Sequence, residues 1–183
     1  MRRSFVPIFQ NEKYNSHIYF DYEDNEFFTT LEKKNSSITY LSRFVGIIFY
    51  LFLKNVSFDI GLNPFIIVLL SIILGVIISF ASLKLMMNVM NKSLDKRKIV
   101  LTPTKEQLKE YIYEGKKQFK KMIFIMIFLL FVSLLSSGIL LFVPNSVLIF
   151  LVNIIFWAVL IIAIYAFRPI KRIQITNQLI KEL

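Results

Sequence analysis

The 183-residue chain is 56% hydrophobic, carries 19 Phe and has a mean hydropathy of +0.61. A soluble core of this size could not hide that much apolar surface, which excludes an ordinary soluble globular domain. Its 22 Lys and Arg against 12 Asp and Glu give a net charge of +10, held almost wholly outside the apolar blocks, which fits a small polytopic membrane protein and argues against a free-standing nucleic-acid binder.

Residues 1–42 are polar and charge-balanced. Met1-Arg2-Arg3-Ser4 is a basic start, but polar residues resume at Gln10 before any apolar stretch long enough for a cleavable signal peptide. Insertion is expected to proceed through the first span. His17-Ile18-Tyr19-Phe20-Asp21-Tyr22 and Phe27-Phe28-Thr29-Thr30-Leu31 are aromatic and β-branched runs around the turn-forming Glu23-Asp24-Asn25-Glu26, which predicts a small cytoplasmic β-hairpin. His17 near Asp21, Glu23 and Asp24 offers only one imidazole, so sheet or surface roles outweigh a metal site there. No metal or cofactor is expected, and the absence of cysteine removes disulfides and thiolate chemistry.

Four spans are predicted. Residues 41–62 contain the weakest, because Arg43, Lys54 and Asp59 interrupt the neighbourhood; a helix of about 20 residues is needed to cross roughly 30 Å of hydrocarbon, so the segment crosses only if Arg43 snorkels at one end and Asp59 sits near the other surface, the alternative being an interfacial or re-entrant helix. Residues 64–87 stay free of charge until Lys84, with Asn63 suited to cap the helix and Pro64 to its first turn. Residues 122–143 and 147–167 form a second hairpin around Pro144-Asn145-Ser146, closed by Arg168-Pro169-Ile170-Lys171-Arg172.

The chain divides on this reading into an N-terminal segment (1–42), a transmembrane hairpin (43–90), a basic cytoplasmic segment (91–121), a second hairpin (122–167) and a basic tail (168–183). The fold class is an all-α membrane protein of four transmembrane helices in two antiparallel hairpins. Of the basic segment, residues 91–103 read as linker. Thr104 with Gln107 forms a capping box, and Leu108, Tyr111, Ile112, Gly115 and Phe119 recur at helical spacing, giving an amphipathic helix along the inner surface that bends into the third span near Lys121. Counting Lys and Arg on either side places both termini and this segment in the cytoplasm. Lys116, Lys117, Lys120, Lys121, Arg168, Lys171 and Arg172 are the expected surface anchors, each basic residue contributing about 1 kcal/mol near an anionic inner leaflet.

Within the spans, Ser71, Gly75 and Ser79 form a small-xxx-small row, and Ser133 and Ser137 repeat the spacing beside Ser136 and Gly138, which predicts close packing of these two faces. Asn153 is an amide in hydrocarbon and needs a partner. In a hairpin centred on Asn145 it lies at the depth of Ser137, so a bond to Ser136 or Ser137 is expected. The second to fourth spans hold no carboxylate for coupled transport, and the chain has no phosphate loop or catalytic set.

A polar, strand-rich N-terminus followed by compact membrane hairpins split by Lys96-Arg97-Lys98-Ile99-Val100-Leu101-Thr102-Pro103 resembles small multispan immunity-type proteins of Gram-positive bacteria, such as the tandem five-transmembrane family. The resemblance is one of architecture. It implies a non-enzymatic binding protein in the cytoplasmic membrane whose partner is a membrane-active toxin or bacteriocin. The alternative is an accessory subunit of a transporter or secretion system.

Overall fold

The computed structural model describes residues 5–11, 16–31, 56 and 61–181. The predicted first span lies outside them apart from residues 56, 61 and 62, as do its Arg43, Lys54 and Asp59. Three strands, β1 (Phe5–Asn11), β2 (Ser16–Asp21) and β3 (Glu26–Leu31), are followed by α1 (Pro64–Arg97), β4 (Ile99–Leu101), α2 (Lys105–Phe142), α3 (Val147–Phe167) and α4 (Pro169–Lys181). The chain divides into two compact units. A sheet unit comprises Met1–Glu32, Leu85–Met126 and Ala163–Leu183, and an apolar unit comprises Lys33–Lys84 and Ile127–Ile162.

The expected hairpin is part of a four-stranded antiparallel sheet in the order β1-β2-β3-β4, so the described fold is helical with a small sheet rather than all-α. Asn25 closes the β2–β3 turn at φ 57, a conformation asparagine tolerates better than most residues. Residues 99–101, read as linker, pair with β3 through Phe27↔Leu101, Phe28↔Val100 and Thr29↔Ile99. One face of the sheet presents Val6, Ile8, Ile18, Phe20 and Phe27 to Ile112 of α2 and to Ile175 and Leu179 of α4. The other face stacks Tyr19 on Phe28 at 5.2 Å between ring centres and sets Phe5 edge-on to both. Two apolar faces make the sheet a small core of its own, held chiefly by hydrophobic burial and aromatic contact.

The helices begin where their caps predict. Asn63 Oδ1 accepts from the amide of Phe65 at 2.9 Å. Thr104 and Gln107 form the reciprocal capping box, with the Thr104 amide donating to Gln107 Oε1 at 3.0 Å and the Gln107 amide to Thr104 Oγ1 at 3.3 Å.

Three boundaries differ from expectation. α1 runs 34 residues and takes in residues 91–97, because its helix-favouring residues meet no breaker. α2 is one continuous 38-residue helix that runs through Lys121 without a break. Its amphipathic first part lays Leu108, Tyr111 and Ile112 on the sheet, so the sheet supplies the apolar surface assigned above to the membrane. The tail is not a loop but α4, whose Ile175 and Leu179 lie one turn apart and are buried in the same core. Arg168 takes φ 45 at the α3–α4 junction, and Pro169 then occupies the first helical position of α4, where its missing N–H costs nothing.

Candidate functional site

Polar side chains are concentrated in two places, one in each unit. In the apolar unit the buried face of α1 repeats every fourth residue as Ile67, Ser71, Gly75, Ser79 and Leu83. At Gly75 the small row meets α3 and not the Ser133–Ser137 face that the spacing suggested. A Cβ added at Gly75 would lie 2.9 Å from the Ile154 carbonyl oxygen and 3.0 Å from Trp157 Cβ, so Gly75 faces α3 at backbone contact. Depth matching gives the level of a residue in a span but not which neighbour its helix turns it toward.

Asn153, fully buried, is the hub of a relay that joins α1, α2 and α3. Trp157 Nε1 donates to Ser137 Oγ at 3.1 Å, and Ser137 Oγ lies 3.0 Å from both Asn153 Oδ1 and the Ser133 carbonyl as donor. Asn153 Nδ2 donates to Ser71 Oγ at 2.7 Å, and Ser71 passes its proton to the Val68 carbonyl at 2.7 Å. The Asn153–Ser137 bond anticipated from depth is present, with the serine as donor. The bond to Ser71 on α1 was not anticipated. Ser79 and Ser133 bond back to Val76 and Leu129 at 2.6 and 2.8 Å, the usual way a hydroxyl is satisfied inside a span. Among the described residues the buried Ser136 hydroxyl has no partner.

In the sheet unit the site is Arg172. It was expected on the membrane surface, but it is 3% exposed, because it lies one turn before Ile175 on the apolar stripe of α4. That spacing, 172, 175 and 179, is the signal that could have located it. Its Nη2 donates to the Ile8 carbonyl at 2.6 Å and to the Gly115 carbonyl at 2.9 Å, and Nη1 meets the Met122 sulfur at 3.2 Å.

The guanidinium carbon lies 5.1 Å over the Phe119 ring. β1 prepares the acceptor: its register with β2 shifts between Pro7 and Phe9, and this bulge leaves the Ile8 carbonyl free to be taken by a side chain. Gly115 permits the approach, since a Cβ there would stand 2.5 Å from the Ile8 oxygen. Burial pushes the guanidinium pKa down to about 10, and it remains charged at neutral pH.

Beside Arg172, Gln118 substitutes for a strand along β1, accepting from the Gln10 amide at 2.9 Å and donating to the Gln10 carbonyl at 2.7 Å. A cavity of about 230 Å³ opens here, lined by Phe9, Met86, Met122, Ala166 and Phe167, with Gln10, His17, Gln118 and Arg172 at its polar margin.

The other expected anchors are placed differently from Arg172. Lys116, Lys117, Lys120 and Lys121 are exposed on α2, Lys171 lies 5.4 Å over the Tyr22 ring, and Arg168 Nη1 donates to the Tyr22 hydroxyl at 3.2 Å. Of the acids near His17, Asp21 and Asp24 share Lys98 with Glu26 at 3.8–4.0 Å. Among the described residues no three His, Asp or Glu side chains gather where a metal could bind.

No family model, curated protein or solved structure matches this chain. Its class is therefore defined by its own architecture. Among the described residues, three helical stretches are long and apolar enough to cross a membrane, Pro64–Asn88, Lys105–Phe142 and Val147–Lys181, and they share the chain with a small antiparallel sheet.

Proposed function

We infer that this is a multi-pass binding protein of the bacterial cytoplasmic membrane that gives immunity to a membrane-active toxin or bacteriocin by intercepting it within the bilayer. The observation that carries the reading is a row of bulky side chains on one face of α2, Phe128, Phe131, Leu135 and Phe142, exposed by 50–88%. These positions fall within about 60° of arc on a helix of 3.6 residues per turn. In lipid, helices associate through close side-chain packing rather than apolar burial. Rigid rings at helical spacing offer ridges and grooves to an incoming apolar helix, and the Asn153 relay ties together the helices behind them.

Four crossings with both termini cytoplasmic complete the proposal. The pairing of β3 with β4 supports the even number: strands on one side of a bilayer must be separated by an even number of crossings, and α1 supplies one between them. The exposed lysines 116, 117, 120 and 121 then lie toward the anionic inner leaflet.

The test is survival of sensitive cells that co-express the protein and a membrane-active toxin encoded beside it. Protection is expected, and combined Phe128→Ala, Phe131→Ala and Phe142→Ala is expected to abolish it at an unchanged membrane level. Full protection by that variant would refute interception on this face. The accessory-subunit reading rests on a different observation, the short edge strand β4 with Ile99 and Val100 half exposed, an edge to which a partner strand could add. Co-purification of a transporter component that Val100→Lys abolishes, without any toxin phenotype, would favour it.

A further inference from the structure

Arg172 poses a question that the proposed function does not answer. A charged group removed from water is normally paired with an opposite charge, yet among the described residues the hydrogen-bond partners of Arg172 are two carbonyls and a thioether, with no carboxylate. Two of the five guanidinium N–H donors are spent on the Ile8 and Gly115 carbonyls, and a third meets only a thioether. The positive charge is solvated but not neutralised. It borders the cavity of about 230 Å³, whose remaining wall is mostly apolar.

We propose that this cavity is a binding site for a single-chain amphiphile with an acidic headgroup. The headgroup, a carboxylate or a phosphate, pairs with Arg172, and the first methylenes of its chain lie against Met86, Met122, Ala166 and Phe167. The volume sets the scale, since it falls below the roughly 300–1,000 Å³ of sites that enclose a drug-sized molecule. The cavity takes a headgroup and the start of a chain, not a whole diacyl lipid. In sequence these apolar lining residues stand at the charged borders of the apolar blocks: Met122 follows Lys120 and Lys121, and Phe167 precedes Arg168. An amphiphile held there has its polar end among cations and its tail directed to hydrocarbon.

Native mass spectrometry of the full chain in a neutral maltoside detergent tests the site, with titrations of laurate, lauroyl lysophosphatidate and dodecanol. One adduct per chain is expected with laurate or with lysophosphatidate, and the stronger of the two identifies carboxylate or phosphate as the preferred head. Dodecanol, with the same chain and no charge, is expected to bind at least about tenfold more weakly, the scale of one charge-assisted hydrogen bond. Equal binding of alcohol and acid would overturn the proposal.

Arg172→Gln is expected to remove the preference for acids. Should that variant fail to fold, Ala166→Phe adds a ring at a lining residue that takes no part in the Ile8 and Gly115 bonds, and it is expected to remove the adduct while the unfolding midpoint holds. An adduct that survives Ala166→Phe places the ligand elsewhere and refutes the assignment. An adduct lost on replacing Lys116, Lys117, Lys120 and Lys121 with Gln does the same, since it would locate binding on the exposed lysines.

Discussion

The two units solve the same problem, a polar group out of water, with different chemistry. In the apolar unit the Asn153 amide is satisfied by neutral hydroxyls, and each hydroxyl has a backbone carbonyl in reserve: Val68 for Ser71 and Ser133 for Ser137. In the sheet unit a full charge is held by two carbonyls, one of them released from the sheet by a bulge. The first arrangement degrades gradually, because each serine can fall back on its own helix. The second has no reserve at the bulge, so its removal strands the Ile8 oxygen, whereas the Gly115 oxygen keeps its place in the helix ladder.

The comparison predicts an order of effects. Gly115→Ala is the most damaging, at about 3 kcal/mol, since its Cβ meets backbone and must drive α2 from β1, opening both Arg172 bonds. Arg172→Met follows at about 2 kcal/mol, from the buried Ile8 carbonyl left unpaired and the lost guanidinium packing, offset in part by the charge removed. Hydrogen exchange should register both as faster exchange in β1 and β2. Arg172→Lys should recover only part, because an ammonium lacks the planar fork.

Gly75→Ala comes next, at about 1–2 kcal/mol, as the approach to Ile154 is less severe. Asn153→Leu should cost only about 1 kcal/mol. The single tryptophan, Trp157, sits in the relay, so its emission in detergent should shift with Asn153→Leu and stay unchanged with Arg172→Met. A shift with Arg172→Met and none with Asn153→Leu would invert the comparison. Ser136→Ala is the smallest effect, neutral or stabilising by up to about 1 kcal/mol, because it removes a buried hydroxyl that makes no bond. A clear loss of stability there would reveal a role for that hydroxyl.

Legibility in the sequence tracked distance along the chain. The Asn63 cap and the Thr104–Gln107 box follow from residues a few positions apart, and the Asn153–Ser137 bond from a hairpin whose turn is marked by proline. The partner of the small row on α1 did not follow, because small residues announce a close approach without saying to what. β4 was hidden for another reason: Ile99-Val100-Leu101 is too short to declare a strand between Lys98 and Pro103, and its pairing with β3 closes across some seventy residues. Arg172 was misplaced by its charge. A basic tail after an apolar block reads as anchor, and the weaker spacing with Ile175 and Leu179 was outweighed.

The Ile8 carbonyl and the Arg172 guanidinium that bonds to it stand 164 residues apart. At roughly 5–20 residues per second of synthesis, the bulged strand exists for on the order of ten seconds before its arginine is made. During that interval the sheet face has only Leu108, Tyr111 and Ile112 of α2 against it, and the part that Ile175 and Leu179 later cover waits for α4.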